Sequence, residues 1–390
     1  MKSRWRKRAL GDLLEVVIDY RGKTPRKMGG DWSDEGYRVL SAKHVKDGEI
    51  VKEEEIRRVS QDVYERWMQI EVEPGDIILT SEAPFGEALY WDRDEKVVLG
   101  QRLFGLRPNP KLVDGRFLYY AIADYHFQQQ LAARATGTTV RGLRQAELLK
   151  CTVPVPERPI QKAIAYTLSC IDKMIKINNQ VCRNLESQAE TMFKNWFIDF
   201  EPFKDGEFID SPLGLIPKGW KVEKLEDLVN IKYGKDHRSL PDGDIPVYGS
   251  GGLIRYISEA IYTSESVLIP RKGTLNNVML VNHPFWSVDT MFYTEINKPN
   301  FAKFLFQLLK RKDLASMNVG SAVPSMTVAL LNQIRFVLPP DEILEHFERV
   351  TNPFYLKIEN NRRQNQILAA LRDTLLPKLM SGEIEVPVVY

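Results

Sequence analysis

Histidine and cysteine are scarce in this sequence, and the few copies are dispersed. His44, His126, His237, His283 and His346 stand far apart, so their spacing assembles neither a zinc site nor a catalytic triad. The three cysteines, Cys151, Cys170 and Cys182, are odd in number and show no CxxC spacing. That pattern argues for a reducing, cytoplasmic setting and against a disulfide framework. Long apolar runs are also lacking. The basic start MKSRWRKRAL passes straight into GDLLEVVIDYRGK, which excludes a secretory signal, and no segment reaches the ~20 apolar residues of a membrane span. There is no GxxxxGK[ST] phosphate loop and no HExxH pair. No catalytic set, cofactor site or metal site is therefore expected.

Two short stretches imitate functional motifs. YGSGG (248–252) is followed by no helical pattern, so it reads as a hairpin turn. TNPFY (351–355) lacks the second proline of the adenine methyltransferase motif and sits inside a helical pattern. The carboxylates of SEAPFGEALYWDRDE (81–95) read as surface acids.

What is present in quantity is ordinary globular material. With 390 residues, 43% hydrophobic and 27% charged, the chain can bury the cores of two or three domains. A net charge of +2 announces no polyanion partner, but the local distribution does more. Arg21, Lys23, Arg26 and Lys27 carry four positive charges within RGKTPRK, and Arg134, Arg141, Arg144 and Lys150 surround the single acid Glu147. Either cluster alone is equally well explained as a solvated loop.

The chain repeats itself. GTTVRGLRQAELLKCTVPVPE (137–157) returns 183 residues later as GSAVPSMTVALLNQIRFVLPP (320–340), matching Gly137, Val140, Ala146, Leu148 and Pro156 without a gap. Trp5, Leu10, Asp12 and Leu13 recur as Trp220, Leu225, Asp227 and Leu228, an offset of 215. Because the offset shrinks from 215 to 183, the first copy is longer by 32 residues between these landmarks. A constant frame with two differently specified centres is implied. The centres read as strands and loops, with helical pattern near 115–133 and 299–314.

After each centre the periodicity changes to alternating steps of four and three. Ile164, Leu168, Ile171, Ile175, Asn178, Cys182, Leu185, Ala189, Met192 and Trp196 form a coiled-coil seam of more than four heptads. Its length is roughly 50 Å at ~1.5 Å per residue. The same register gives Phe347, Thr351, Phe354, Ile358, Asn361, Asn365, Leu368, Arg372, Leu375 and Leu379, with Thr351 and Arg372 off pattern. Asn352-Pro353 predicts a break, hence a short helix followed by a longer one. Asn178 and Asn361 share a seam position, where a buried polar pair would fix register; a wet seam edge explains them as well.

The centres offer basic and polar loops interleaved with aromatics and glycines, the residue types that contact phosphates and base edges. In the first copy these are Arg21, Lys23, Arg26 and Lys27, then Ser81, Gln101 and Arg102, then Thr138, Arg141 and Arg144. In the second they are Tyr233, Lys235 and Arg238, then Tyr248 and Ser250, Arg271 and Lys272, Trp286, and Ser321 with Ser325.

The paired openings W…LGDL and IPKGWKVEKLEDL, the stretch QKAIAYTLSCIDKMIKINNQ…ESQAETMFKNWFIDFEPF (161–203) and the closing QILAALRDTLLPKLMSGEIEV (366–386) resemble the specificity subunit of a Type I restriction–modification system. The resemblance covers nearly the whole chain. It implies an α+β fold in which two target-recognition domains (1–157 and, with a linker, 201–340) alternate with helical regions (158–200 and 341–390). It implies that each domain reads half of a split, asymmetric site on double-stranded DNA, and that the helices pair as an antiparallel coiled coil setting the gap. It further implies no catalysis, docking of two methyltransferase subunits, and endonuclease/translocase subunits in the complex. The exposed helix faces and the ends FKNWFIDFEPF and LPKLMSGEI are expected to dock the methyltransferases. Packing against a recognition domain explains Phe193, Trp196, Phe197 and Phe200 equally well. A coiled-coil scaffold with no DNA role and a free-standing DNA-modifying enzyme are the alternatives.

Overall fold

The computed structural model describes residues 5–137, 141–317 and 324–387. The chain forms two compact units, residues 1–177 with 364–390, and residues 178–363. The divisions fall inside two long helices, Arg158–Phe197 and Asp341–Ser381.

The first unit is built on a four-stranded antiparallel sheet in the order Leu14–Asp19, Leu103–Pro108, Ile77–Thr80, Ala88–Tyr90. A smaller sheet holds Tyr37–Leu40 between an antiparallel neighbour, Arg58–Val59, and a parallel one, Val97–Leu99. The opening strand Arg6–Ala9 pairs with Thr152–Val155, drawn from the repeated passage. The helix Gly115–Ala123 forms because Asp114 Oδ1 accepts the free amides of Arg116 and Phe117 at its first turn. Its buried face, including Phe117, Leu118 and Ile122, shares one core with Leu10, Phe104, Ile164, Leu168, Leu379 and Met380.

Sheets of the same size and pairing occur in the second unit. Its four-stranded antiparallel sheet runs Val229–Tyr233, Met291–Ile296, Ser266–Pro270, Met279–Val281. Its smaller sheet holds Ile245–Gly249 between antiparallel Gly252–Ile257 and parallel Trp286–Ser287. Lys221–Lys224 pairs with Arg335–Leu338. YGSGG is thus a hairpin turn, with Gly249 opposite Gly252. Much of the extra length of the first copy lies where this hairpin turns. Between Leu40 and Arg58 the first unit inserts residues 41–57, with a hairpin of its own (Val45–Lys46 with Glu49–Ile50).

Both seams are read out in burial. Ile164, Leu168, Ile171, Cys182 and Ala189 are buried on the first long helix, with Ile175, Asn178 and Leu185 half-buried. On the second helix Phe347, Ile358, Asn361 and Leu379 are buried, and Phe354, Leu368 and Leu375 are half-buried. The first helix makes long-range contacts with the second inside each unit: Asp172 pairs with Arg372 at 3.0 Å in the first unit. In the second, Glu186 pairs with Arg362 at 2.6 Å, and the Cys182 thiol donates to the Ile358 carbonyl at 3.7 Å. Thr351 and Arg372, off pattern in the sequence, both fit: Thr351 is buried with its hydroxyl bonded to the Phe347 carbonyl, and Arg372 reaches Asp172.

Two expectations are corrected here. The second helix does not break at Asn352-Pro353 but runs unbroken from Asp341 to Ser381. Pro353 and Arg349, whose carbonyl loses its donor, both lie on the exposed face, where water can replace the missing bond. At the end of the first helix the buried line leaves Met192 and Trp196 for Phe193 and Phe197, which join Trp220, Phe304 and Phe347 in the second unit's core. Packing, not exposure for docking, accounts for these aromatics.

Candidate nucleic-acid interface

In each unit a few of the candidate residues meet at one end of the four-stranded sheet, around the same backbone frame: Arg21, Ser81 and Arg102 in the first, Tyr233 and Arg271 in the second. In the first unit the Ser81 amide donates to the Arg102 carbonyl at 2.8 Å, and the Leu143 amide donates to the Ser81 carbonyl at 3.1 Å. In the second the Arg271 amide donates to the Thr290 carbonyl at 2.8 Å, and the Met326 amide to the Arg271 carbonyl at 2.8 Å. Leu143 and Met326 are the pair related by 183 positions. Strand register carries the correspondence further: Asp19 lies opposite Phe104 as Tyr233 lies opposite Phe292. One frame therefore presents Asp19, Ser81 and Arg102 in one unit, and Tyr233, Arg271 and Thr290 in the other.

The side chains divide into those held within the protein and those facing water. Arg21 is held. Its guanidinium grips Asp19 through Nε and Nη2, both at 2.8 Å. Its Nη1 donates to the Leu143 carbonyl at 2.8 Å, and it lies 3.8 Å over the Phe104 ring. Arg21 thereby ties the end of a sheet strand to the segment bearing Arg141 and Arg144, both exposed. Lys23 lies over Tyr20 and reaches the Trp67 carbonyl at 3.4 Å. Arg26 and Lys27 are exposed, and Lys27 donates to the Gly22 carbonyl. Ser81 is buried, which makes it part of the frame rather than of the surface. Gln101 and Arg102 are exposed, Arg102 3.6 Å from Glu82.

In the second unit Lys235, Arg238 and Lys272 are exposed and Arg271 half-exposed over the Tyr233 ring. Lys272 bridges to Ser325. Ser250 accepts from Asn277 through its carbonyl at 2.8 Å, which seats the hairpin turn against the 271–277 loop. Trp286 is buried and its indole N–H donates to the Lys235 carbonyl at 2.9 Å, a packing role. Tyr248 shares a hydrogen bond with His283 Nε2 at 3.1 Å, and His283 Nδ1 meets Glu359 at 3.0 Å. Burial pushes the Tyr248 phenol up to about 12, so it keeps its proton at neutral pH. Sequence reasoning missed Asp19, His283 and Glu359; the register of the two sheets is the signal that finds Asp19. Thr138 and Ser321 lie outside the described residues.

Removing Arg21 leaves Asp19 and the Leu143 carbonyl without their partner. Arg21→Ala is expected to cost about 1.5–3 kcal/mol, the range for hydrogen bonds to charged groups. Denaturant unfolding of the variant against the parent chain measures it.

Among the described residues no group of three His, Cys, Asp or Glu side chains is placed to hold a metal, and no helix is long and apolar enough to cross a membrane. Arg102 in the first unit and Arg271, over Tyr233, in the second stand at the sheet ends, and arginine beside tyrosine is a pairing suited to nucleic acid backbones and bases. Comparison with known proteins places the chain in a family. The family model described as Type I restriction modification DNA specificity domain matches residues 2–187 and 217–369, and the chain belongs to that family. Its place there is that of the non-catalytic specificity component.

The chain is 28% identical over 340 residues to the Type I restriction enzyme MjaIX specificity subunit of Methanocaldococcus jannaschii, covering 80% of this chain and 78% of the relative. It is 22% identical to the MjaVIII specificity subunit of the same organism, over 98% of this chain and 93% of the relative. The fold is similar to that of the crystal structure of the Type I restriction–modification S subunit from M. genitalium. The TM-score is 0.62 at 18% identity, covering 100% of this chain and 97% of that one.

Proposed function

We propose that the chain is the sequence-reading subunit of a Type I restriction–modification complex and that each unit reads one half of a split, asymmetric site on duplex DNA. The observation that carries this reading is the duplicated frame with different side chains facing water on it: Arg102 in one copy where the other has Thr290, and Tyr233 and Arg271 in the second where the first has Asp19 and the buried Ser81. Equal frames give the two halves a common mode of approach, and unequal side chains give them different sequences. The recognition domains are residues 1–157 and 201–340, and the helical regions 158–200 and 341–390. Pairing of the helices as an antiparallel coiled coil sets the gap. Inside the second unit Glu186 meets Arg362 and, further on, Phe193 packs on Phe347, so the partner's number falls as the first helix advances, which supports it.

Two methyltransferase subunits dock on the exposed helix faces, and endonuclease/translocase subunits complete the assembly. The inner aromatics and the closing leucines are committed to the cores, whereas Tyr166, Met174 and Ile367 stay exposed on the helices. A salt titration of duplex binding by the chain with its methyltransferase tests the reading. Affinity is expected to fall linearly in log–log form, by a slope of about 0.9 per phosphate contacted. A scaffold without a DNA role would bind duplex neither selectively nor in a salt-dependent way.

A further inference from the structure

The strand Gly252–Ile257 of the second unit carries an apolar ridge that the basic loops around it do not explain. Leu253, Ile254 and Tyr256 are 43%, 54% and 39% exposed. The strand is the edge of its small sheet, next to Ile245–Gly249. Its one charged side chain, Arg255, is turned back into the protein. Arg255 donates to the carbonyls of His237 and Leu240 at 2.9 and 2.5 Å and lies 3.6 Å from Asp242. The strand therefore offers hydrocarbon outward, while its one cation is tied to two carbonyls and to the exposed Asp242.

That hydrocarbon stands beside cations. The hairpin turn is held to the 271–277 loop by the Asn277–Ser250 bond, and a Cβ at Gly273 would lie 2.9 Å from the Ser250 hydroxyl. Arg271 and Lys272 belong to that loop. Lys235 is anchored nearby through its amide to the Ser287 carbonyl, adjacent to the strand pairing of Tyr248 with Ser287. An apolar ridge on a hairpin whose turn and sheet adjoin segments bearing Arg271, Lys272 and Lys235 suits a polyanion that also carries methyl groups in a groove. Duplex DNA has that feature in the thymine 5-methyl, displayed in a major groove wide enough for a two-stranded ribbon. Gly252–Ile257 is the open edge of the hairpin 245–257, whose other strand pairs onward with the short strand Trp286–Ser287.

We propose that Leu253 and Ile254 are specificity-determining residues that read thymine methyl groups in the half-site of the second unit. The proposal rests on the reading of this unit as a DNA-recognition domain. It predicts at least one A·T pair in that half-site, with the methyl at van der Waals distance from the ridge.

The test replaces each thymine of the half-site, one at a time, by deoxyuridine, which removes only the methyl group. Binding is measured with the chain in complex with its methyltransferase. At one or two positions the loss is expected to be about three- to tenfold, in line with burial of a single methyl group. Leu253→Ala and Ile254→Thr, the latter keeping a β-branched strand residue, should bind thymine and uracil duplexes equally at those positions while retaining selectivity at the other half-site. Thermal unfolding equal to the parent shows that the hairpin is intact. Equal binding of both duplexes by the unsubstituted chain at every position, or a half-site without an A·T pair, overturns the proposal and leaves DNA recognition standing. So does loss of methyltransferase association in the ridge variants, which would assign the ridge to a protein partner. Absence of any selective duplex binding is the separate result that removes the underlying reading.

Discussion

Truncation after Thr374 is expected to unfold the first unit. The deletion removes Leu376, Leu379 and Met380, all buried in the core that also holds Ile164, Leu168 and Phe117. Fully burying such a side chain is worth about 1.5–3 kcal/mol, so the loss is roughly 5–9 kcal/mol, comparable with the whole stability of a domain. It also removes Gly382, which follows the helix at φ 76° with its α-carbon so close to the Trp5 indole that a Cβ would overlap it. Limited proteolysis is expected to cut the truncated chain within residues 5–137 under conditions where the intact chain resists. For this reason the truncation, which the closing stretch LPKLMSGEI invites as a docking test, cannot distinguish a lost docking surface from a lost fold. Substitution of the exposed Tyr166 or Met174 separates the two, because neither belongs to a core cluster.

The second large effect is expected at Lys303. Its side chain is only 4% exposed, and its ammonium pairs with Glu265 at 2.8 Å and Glu348 at 2.6 Å. It joins the helix Ala302–Lys310 to the second long helix, and it stands 6.0 Å over the Tyr355 ring. Lys303→Met keeps the volume and removes the charge, leaving two carboxylates facing each other in a partly buried place. Breaking a buried pair in this manner costs about 3–5 kcal/mol. The double variant Lys303→Met with Glu348→Gln should recover part of that loss, because fewer unpaired charges remain. Denaturant unfolding of the single and double variants provides the comparison, and equal stability of Lys303→Met and the parent would show that the pair is solvated.

The frame was legible in the sequence because it is a matter of backbone and apolar spacing. The 183-residue echo maps the helix Gln145–Leu148 onto Val328–Asn332 and the strand Thr152–Val155 onto Arg335–Leu338 without adjustment. The helical patterns near 115–133 and 299–314 became Gly115–Ala123, Tyr125–Arg134 and Ala302–Lys310. What stayed hidden depends on partners distant along the chain. Arg21 reads as a free cation until Leu143 and Phe104 are placed beside it. Ser81 and Trp286 read as polar or aromatic surface until the strands cover them. The heptad pattern, extended past Ala189, named Met192 and Trp196, since nothing local says that the neighbour changes from a helix to a sheet core. Pro353 looked like a break because the sequence does not show that Arg349, whose carbonyl it leaves unbonded, lies on the exposed face. Composition was similarly silent about the apolar ridge, where hydrophobic strand residues look like any others destined for a core.

Position by position, the loops are expected to act separately. In the proposed base-reading role, loss of Arg141 in the first unit or Arg271 in the second is expected to cost ~1–3 kcal/mol at one position of one half-site. The most direct measurement is a genome-wide map of methylated positions in cells carrying the complex, made for the parent chain and for Arg271→Ala. Two unlike specific segments separated by a fixed, unread gap are predicted, with Arg271→Ala altering only one of them. A single uninterrupted motif, or a change of both segments together, would contradict the account.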